Sequence, residues 1–182
     1  MRSMGRSVLL LALMAATAGL GSSAGAQQQN QPISALKGHN SNAPVDVSSD
    51  RIEVQDRADR AVFSGNVVAR QADLTLATER LTLAYSSGGG IQIDRLDAAG
   101  GVLVRSPSET ARGDFGVYDL NRKLITLIGN VELQRQGSQV RGNRLTIDLD
   151  SGRAVIDGGP PGVGQNGGRV TGHFTVPQRQ RS

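Results

Sequence analysis

The sequence predicts an all-β fold, a stacked or rolled sheet assembled from repeated strand–turn–strand units. Three observations predict it: side-chain alternation of period 2, turn residues at regular breaks, and internal repetition in register. The alternation is plainest in residues 124–149, where Ile125, Leu127, Val131 and Leu133 share one parity and Leu145, Ile147 and Leu149 share one parity after a break. Thr126, Glu132, Gln134, Thr146 and Asp148 take the other parity, the pattern of half-buried strands. Gln136-Gly137-Ser138 supplies turn chemistry between the two runs, and Gly129-Asn130 marks a bend in the first.

The same unit recurs along the chain. An offset of 64 residues lays Gly65-Asn66-Val67 on Gly129-Asn130-Val131, and Arg80-Leu81-Thr82-Leu83 on Arg144-Leu145-Thr146-Ile147. An offset of 29 lays Gly100-Gly101-Val102 on the same tripeptide and Arg112-Gly113 on Arg141-Gly142. An offset of 93 matches Arg60-Ala61-Val62 to Arg153-Ala154-Val155. Gly65, Gly100 and Gly129 therefore head three units, the first longer by six residues that the Ser86 to Gly90 run absorbs as a loop. Units this short cannot bury their own apolar faces, so they stack or roll together.

The elements follow in order. Arg2 and Arg6, the apolar run 8–20 and Ala24-Gly25-Ala26 predict a secretory signal peptide over 1–26, cleaved before Gln27. As a rival membrane anchor, that run would span only about 20 Å of a ~30 Å hydrocarbon core. Residues 27–44 are polar and Gln/Asn-rich and read as a flexible lead-in. From Val45 to Asp157 about ten strand-like segments follow, with no helical periodicity and a single proline, Pro107, in a turn. The first strand is expected near 47–54. Around 115–120 two parities stay open: repeat alignment turns Gly116, Tyr118 and Leu120 inward, whereas hydrophobicity alone prefers Phe115 and Val117. Residues 159–182 form a Gly/Pro-rich linker, a strand over 169–176 and a basic tail, so the terminal strand is either 153–157 or 170–176.

Composition removes several function classes. Without the leader, 18 basic residues face 16 acidic ones, too even a balance for a nucleic-acid-binding face. There is no cysteine, hence no disulfide framework or thiolate site. His39 and His173 have no partners at metal-ligand spacing, and no G-x-S-x-G is present. Gly162 to Gly167 spells G-x-G-x-x-G, but prolines precede it and no acid follows Asp157, so it reads as loop and not as a dinucleotide fingerprint. Asp94, Asp97, Asp114, Asp119, Asp148, Asp150 and Asp157 lie beside turn residues, where capping or solvated carboxylates are expected. Arg80, Arg112, Arg141, Arg144 and Arg153 read as charges on a solvent face, or as contacts for anionic lipid phosphates. No catalytic residue, metal or cofactor is expected. The apolar parity has two readings, a solid core or an elongated trough wide enough for acyl chains.

Short motifs add a family resemblance. F-x-G-N-V at 63–67, I-G-N-V at 128–131 and R-G-N-R-L-T-I-D at 141–148, with a weaker echo at 112–119, resemble the LptA/OstA-like family of periplasmic lipopolysaccharide-transport proteins. The resemblance covers roughly residues 45–159 and implies a twisted β-jelly roll over 45–158. It implies a non-enzymatic carrier in the periplasm that shields the acyl chains of lipopolysaccharide. It also implies head-to-tail self-association into a bridge between an LptC-like inner-membrane component and an LptD-like outer-membrane component. The lipid-contacting set it implies is the inward parity: Phe63, Val67, Leu74, Leu76, Leu81, Leu83, Val102, Val104, Ile125, Leu127, Val131, Leu133, Leu145, Ile147 and Ile156. The alternatives are an LptC-like anchored component, an exported β-solenoid polysaccharide-binding module or enzyme, and a purely structural β-protein. The Gly/Pro-rich tail and the longer first unit depart from the family pattern.

Overall fold

Alternating side chains and two-residue turns draw the chain into one antiparallel sheet. The computed structural model describes Leu36, residues 39–159 and residues 168–175, all within one compact unit. The signal peptide, most of the lead-in, the G-x-G-x-x-G loop and the basic tail lie outside the described residues. Ten strands run in chain order: β1 (Val45–Ser48), β2 (Arg51–Gln55), β3 (Arg60–Gln71), β4 (Leu74–Ser86), β5 (Gln92–Arg105), β6 (Glu109–Asp119), β7 (Leu124–Arg135), β8 (Ser138–Asp148), β9 (Arg153–Asp157) and β10 (Thr171–His173). Strands β3 to β8 pair each with the next. Gln136-Gly137, with φ of 45° and 78°, turns β7 into β8, the two-residue hairpin in which both central residues are left-handed. Ser106 closes the β5–β6 turn by donating its N–H to the Glu109 carbonyl at 2.9 Å.

The ends of the sheet are split. The expected first strand is two strands: β1 pairs with the C-terminal half of β3 and β2 with its N-terminal half. Both candidates for the terminal strand pair with β8, β9 along 144–148 and β10 along 139–141. Among the described residues neither β1 nor β2 pairs with β9 or β10, so the rolled sheet keeps two free edges.

The three anchor glycines are β-bulges. Register shifts fall between Ser64 and Val67 in β3, Ala99 and Val102 in β5, and Ile128 and Val131 in β7. Gly65-Asn66, Gly100-Gly101 and Gly129-Asn130 all have positive φ, the conformation a glycine-led bulge requires. Asp50 holds the first bulge by accepting a 2.8 Å hydrogen bond from Asn66 Nδ2. Asp114 holds the third in the same way through Asn130.

The bulges form one line across the sheet and crease it into two halves. Strands β3, β5 and β7 each step four residues across the crease between buried positions, as from Leu127 to Val131, and β4, β6 and β8 each step three, as from Thr78 to Leu81. Parity therefore switches at the crease in β4, β6 and β8. In β6 that switch decides the open parity of 115–120: Gly116 and Tyr118 point inward, Leu120 packs partly against the core, and Phe115 is exposed. The repeat alignment was the better guide there.

The crease is also the most completely buried part. Leu81, Leu127 and Leu145 have 0 % exposure, and Val67, Val102 and Val131 flank the bulges at 1–2 %. Each such side chain stabilises the fold by about 1.5–3 kcal/mol through burial.

Gly129→Ala should therefore cost about 2–3 kcal/mol, because the new side chain adopts a left-handed φ and meets Asp114. Gly89→Ala, where an added Cβ meets nothing within 4 Å, should stay within about 0.5 kcal/mol of the parent. Urea denaturation of the two variants checks this; equal midpoints would mean that the bulge does not set the crease.

Candidate functional site

The two half-sheets face each other across an apolar interior. One wall carries Leu74, Leu76 and Val104, and the other Leu96, Ile125 and Leu127. Of the fifteen residues assigned inward from the sequence, fourteen are buried in one continuous core cluster. Ile156 is the exception: it lies on β9 beside a free edge and is only partly buried against that cluster. Leu96, Ala98, Ala61, Ala69, Ala111 and Leu149 belong to the same core. The alternation of β5 carries a signal for the first two, whereas small alanines give a weak one.

This interior is closely filled. A gap of about 20 Å³ lies between the walls, bounded by Val45, Ala69, Gln71, Leu76, Tyr118 and Leu127 among others, room for about one water molecule. Outside it, sharing Val45 and Gln71, an open cleft of about 400 Å³ runs along residues 41–44, Ile91–Ile93 and Leu120-Asn121.

Polar groups gather where the far ends of the halves meet. Tyr118 Oη donates to Gln71 Oε1 at 2.8 Å, and Gln71 Nε2 donates to the carbonyls of Ser41 and Ala43, each at 2.9 Å. His39 sets Nε2 3.1 Å from Gln71 Oε1 and Nδ1 3.0 Å from Asp73 Oδ1, its side chain 1 % exposed. Burial pushes the Tyr118 hydroxyl up to about 12 against the opposing hydrogen bond to Gln71, so it is a neutral donor. The lead-in expected to be flexible is thus packed where it is described, with Leu36 inside the core cluster. Nothing in the sequence marked Gln71 as a buried bridge.

Glu109 is a second surprise. Its carboxylate lies among Leu36, Val104, Ala111, Leu133 and Ile147, 3 % exposed, and neither oxygen accepts a hydrogen bond from a described residue. Arg135 Nη1 lies 3.4 Å away. Burial pushes this carboxyl above its ordinary range, outweighing the pull of the Arg135 charge.

The repeated arginines divide. Arg112 and Arg141 flank Glu132 at 3.9 and 3.2 Å across β6, β7 and β8, at the more exposed positions of those strands. Burial raises the Glu132 carboxyl, but hydrogen bonds from Gln139 and Arg141 and the Arg112 charge hold it below its ordinary value. Arg80, Arg144 and Arg153 are exposed. Asp97, expected beside a turn, instead lies within β5 and pairs with Arg95 at 2.7 Å. Among the described residues no group of three or more potential ligands could hold a metal ion, and His173 lies exposed in β10.

A creased β-roll with an apolar interior and two free edges is a fold of the β-jelly-roll class. The profile of the family described as "LptA/(LptD N-terminal domain) LPS transport protein" matches residues 46–153, more than half of the chain, and the chain belongs to that family. An uncharacterised protein of Rhizobium meliloti is 32 % identical over 154 residues, covering 78 % of this chain and 82 % of that protein. The LPS-assembly protein LptD of Yersinia pseudotuberculosis is 31 % identical over 135 residues; the match covers 72 % of this chain but 17 % of LptD. The fold is that of LptH, the LptA-homologous periplasmic component of the lipopolysaccharide transport device of Pseudomonas aeruginosa. That crystal structure superposes with a TM-score of 0.66 at 17 % identity, over 76 % of this chain and 99 % of LptH.

Glu109 generates a signed expectation. A carboxyl whose folded pKa is raised contributes stability fully present below the ordinary glutamate pKa of about 4.3 and lost as pH rises through the folded value. Glu109→Gln, neutral and of the same shape, should exceed the parent by about 1 kcal/mol at pH ~7, the gap closing near pH ~4. Urea midpoints at the two pH values check this; a variant less stable than the parent at the higher pH would mean that the Arg135 pair outweighs desolvation.

Proposed function

We propose that this chain is a periplasmic carrier that shields the acyl chains of lipopolysaccharide between its two half-sheets. The observation that carries this reading is the continuous apolar interior of a sheet left open at both edges. Each methylene exposed to water costs about 0.8 kcal/mol, so a chain of a dozen carbons costs roughly 10 kcal/mol. A passive apolar slot offsets that cost without chemistry. Because the gap between the walls is about 20 Å³, the halves must part to admit a lipid, and the thinner burial away from the crease is where they do so.

The free edges serve assembly. Ile52 and Val54 on β2 pair with Phe63 and Ala61 and share their inward face, yet are 55 % and 57 % exposed. Val170 and Phe174 flank β10 at the opposite edge and are also exposed. Strand addition between opposite edges would continue one apolar interior into the next and cover both pairs. Such contact is heterologous and propagates as a filament, with LptC-like and LptD-like partners of the same fold at its ends. A filled interior also suits an exported β-protein that binds glycans on its surface, and the test separates the two.

A photo-crosslinker at Leu76, Val131 or Ile147 should capture lipopolysaccharide, and one at Thr82, Glu132 or Thr146 should not. At Val54 it should capture a second copy through β9 or β10. Equal labelling of both parities, or labelling by sugar without acyl chains, would count against the carrier reading.

A further inference from the structure

The open side of the creased sheet, opposite the bulges, is covered by Leu36 and residues 39–44. Leu36 inserts among Val104, Ala111, Leu133 and Ile147, contributed by both half-sheets. Farther along the same side, the carbonyls of Ser41 and Ala43 hold Gln71, and His39 contacts Gln71 and Asp73. Gln71 lines both the small interior gap and the outer cleft, so it stands between the interior and solvent.

The chemistry of the two sides differs. At the crease the halves are joined by apolar packing, whose loss water cannot compensate. At the open side the halves are joined by the Tyr118–Gln71 hydrogen bond, and the covering residues are held by those of Gln71 and His39, all of which water can replace once the side is wet. Buried, Gln71 uses both its donors and its acceptor, and withdrawal of the stretch without entry of water would leave those groups unpaired at high cost. Two arrangements are therefore self-consistent, closed and dry or open and wet.

We propose that Leu36 and residues 39–44 form a displaceable strap that keeps the interior shut, with Leu36 occupying the place an acyl chain takes. The identity of the incoming chain rests on the carrier reading above; the strap itself does not. Gln71, bonded to both the strap and Tyr118, is the latch. Binding then exchanges an internal apolar plug for an external one, so the empty carrier exposes no acyl-sized cavity to water.

The test places a benzophenone side chain at Leu36 of the full mature chain and measures its internal crosslink to the peptides carrying Ala111 and Leu133. Excess lipopolysaccharide should lower that yield, and Gln71→Ala should lower it without lipid, the closed-to-open ratio falling by roughly fivefold for each net hydrogen bond lost. The same variant should admit the apolar dye phenylnaphthylamine. His39→Ala, which removes contacts from the strap side only, gives the same readout should Gln71→Ala fail to fold. Bound lipopolysaccharide with an undiminished crosslink overturns the strap and leaves the carrier reading standing. Latch variants that open to dye while neither they nor the parent bind lipopolysaccharide leave the strap standing and overturn the carrier reading. A crosslink insensitive to both latch variants overturns the strap.

Discussion

The constraint on which the structure depends is the line of β-bulges at Gly65, Gly100 and Gly129. A long antiparallel sheet twists but does not fold onto itself unless extra residues are inserted at one level. Here three alternate strands each carry such an insertion, with glycine accepting the left-handed backbone. The parity switch in the even strands turns what would be two separate faces into two walls of one interior. Without the crease, Leu74 and Leu96 would not line the same space.

That geometry divides the roles of the molecule. The crease is dry, fully buried and made of valine and leucine, so it resists opening. The open side is held by a few hydrogen bonds and one leucine from outside the sheet, so it yields first. The free edges expose apolar residues of inward parity, which a solitary molecule would ordinarily hide. A carrier needs these three properties together: a rigid spine, a side that parts, and ends that join. The buried Glu109 fits none of them, and its cost is borne where Leu36 enters.

Much of this was legible in the sequence. Alternation and co-registered repeats identify the strands and the inward residues because the period of a strand is 2 and the repeat restores phase after each bulge. The Gly-Asn pairs signalled a bend, yet only the paired registers reveal them as bulges within continuous strands. Residues 115–120 were ambiguous from hydrophobicity because the parity switch falls at Asp114, inside a motif that looks like uninterrupted alternation. The short edge strands were read as one because the break between β1 and β2 is only two residues, although the apolar parity changes across it, from Val45 and Val47 to Ile52 and Val54. Gln71, His39 and Leu36 were invisible for a different reason: their partners are distant in sequence, and no local pattern encodes a contact between a lead-in and the opposite wall.

The most direct measurement is native mass spectrometry of the protein recovered, without detergent, from the periplasm of the cell that makes it. A carrier of acyl chains should give a population with the added mass of an acylated lipopolysaccharide, released only when the fold is disrupted. Bare polypeptide throughout, or bound glycan without acyl chains, would contradict it.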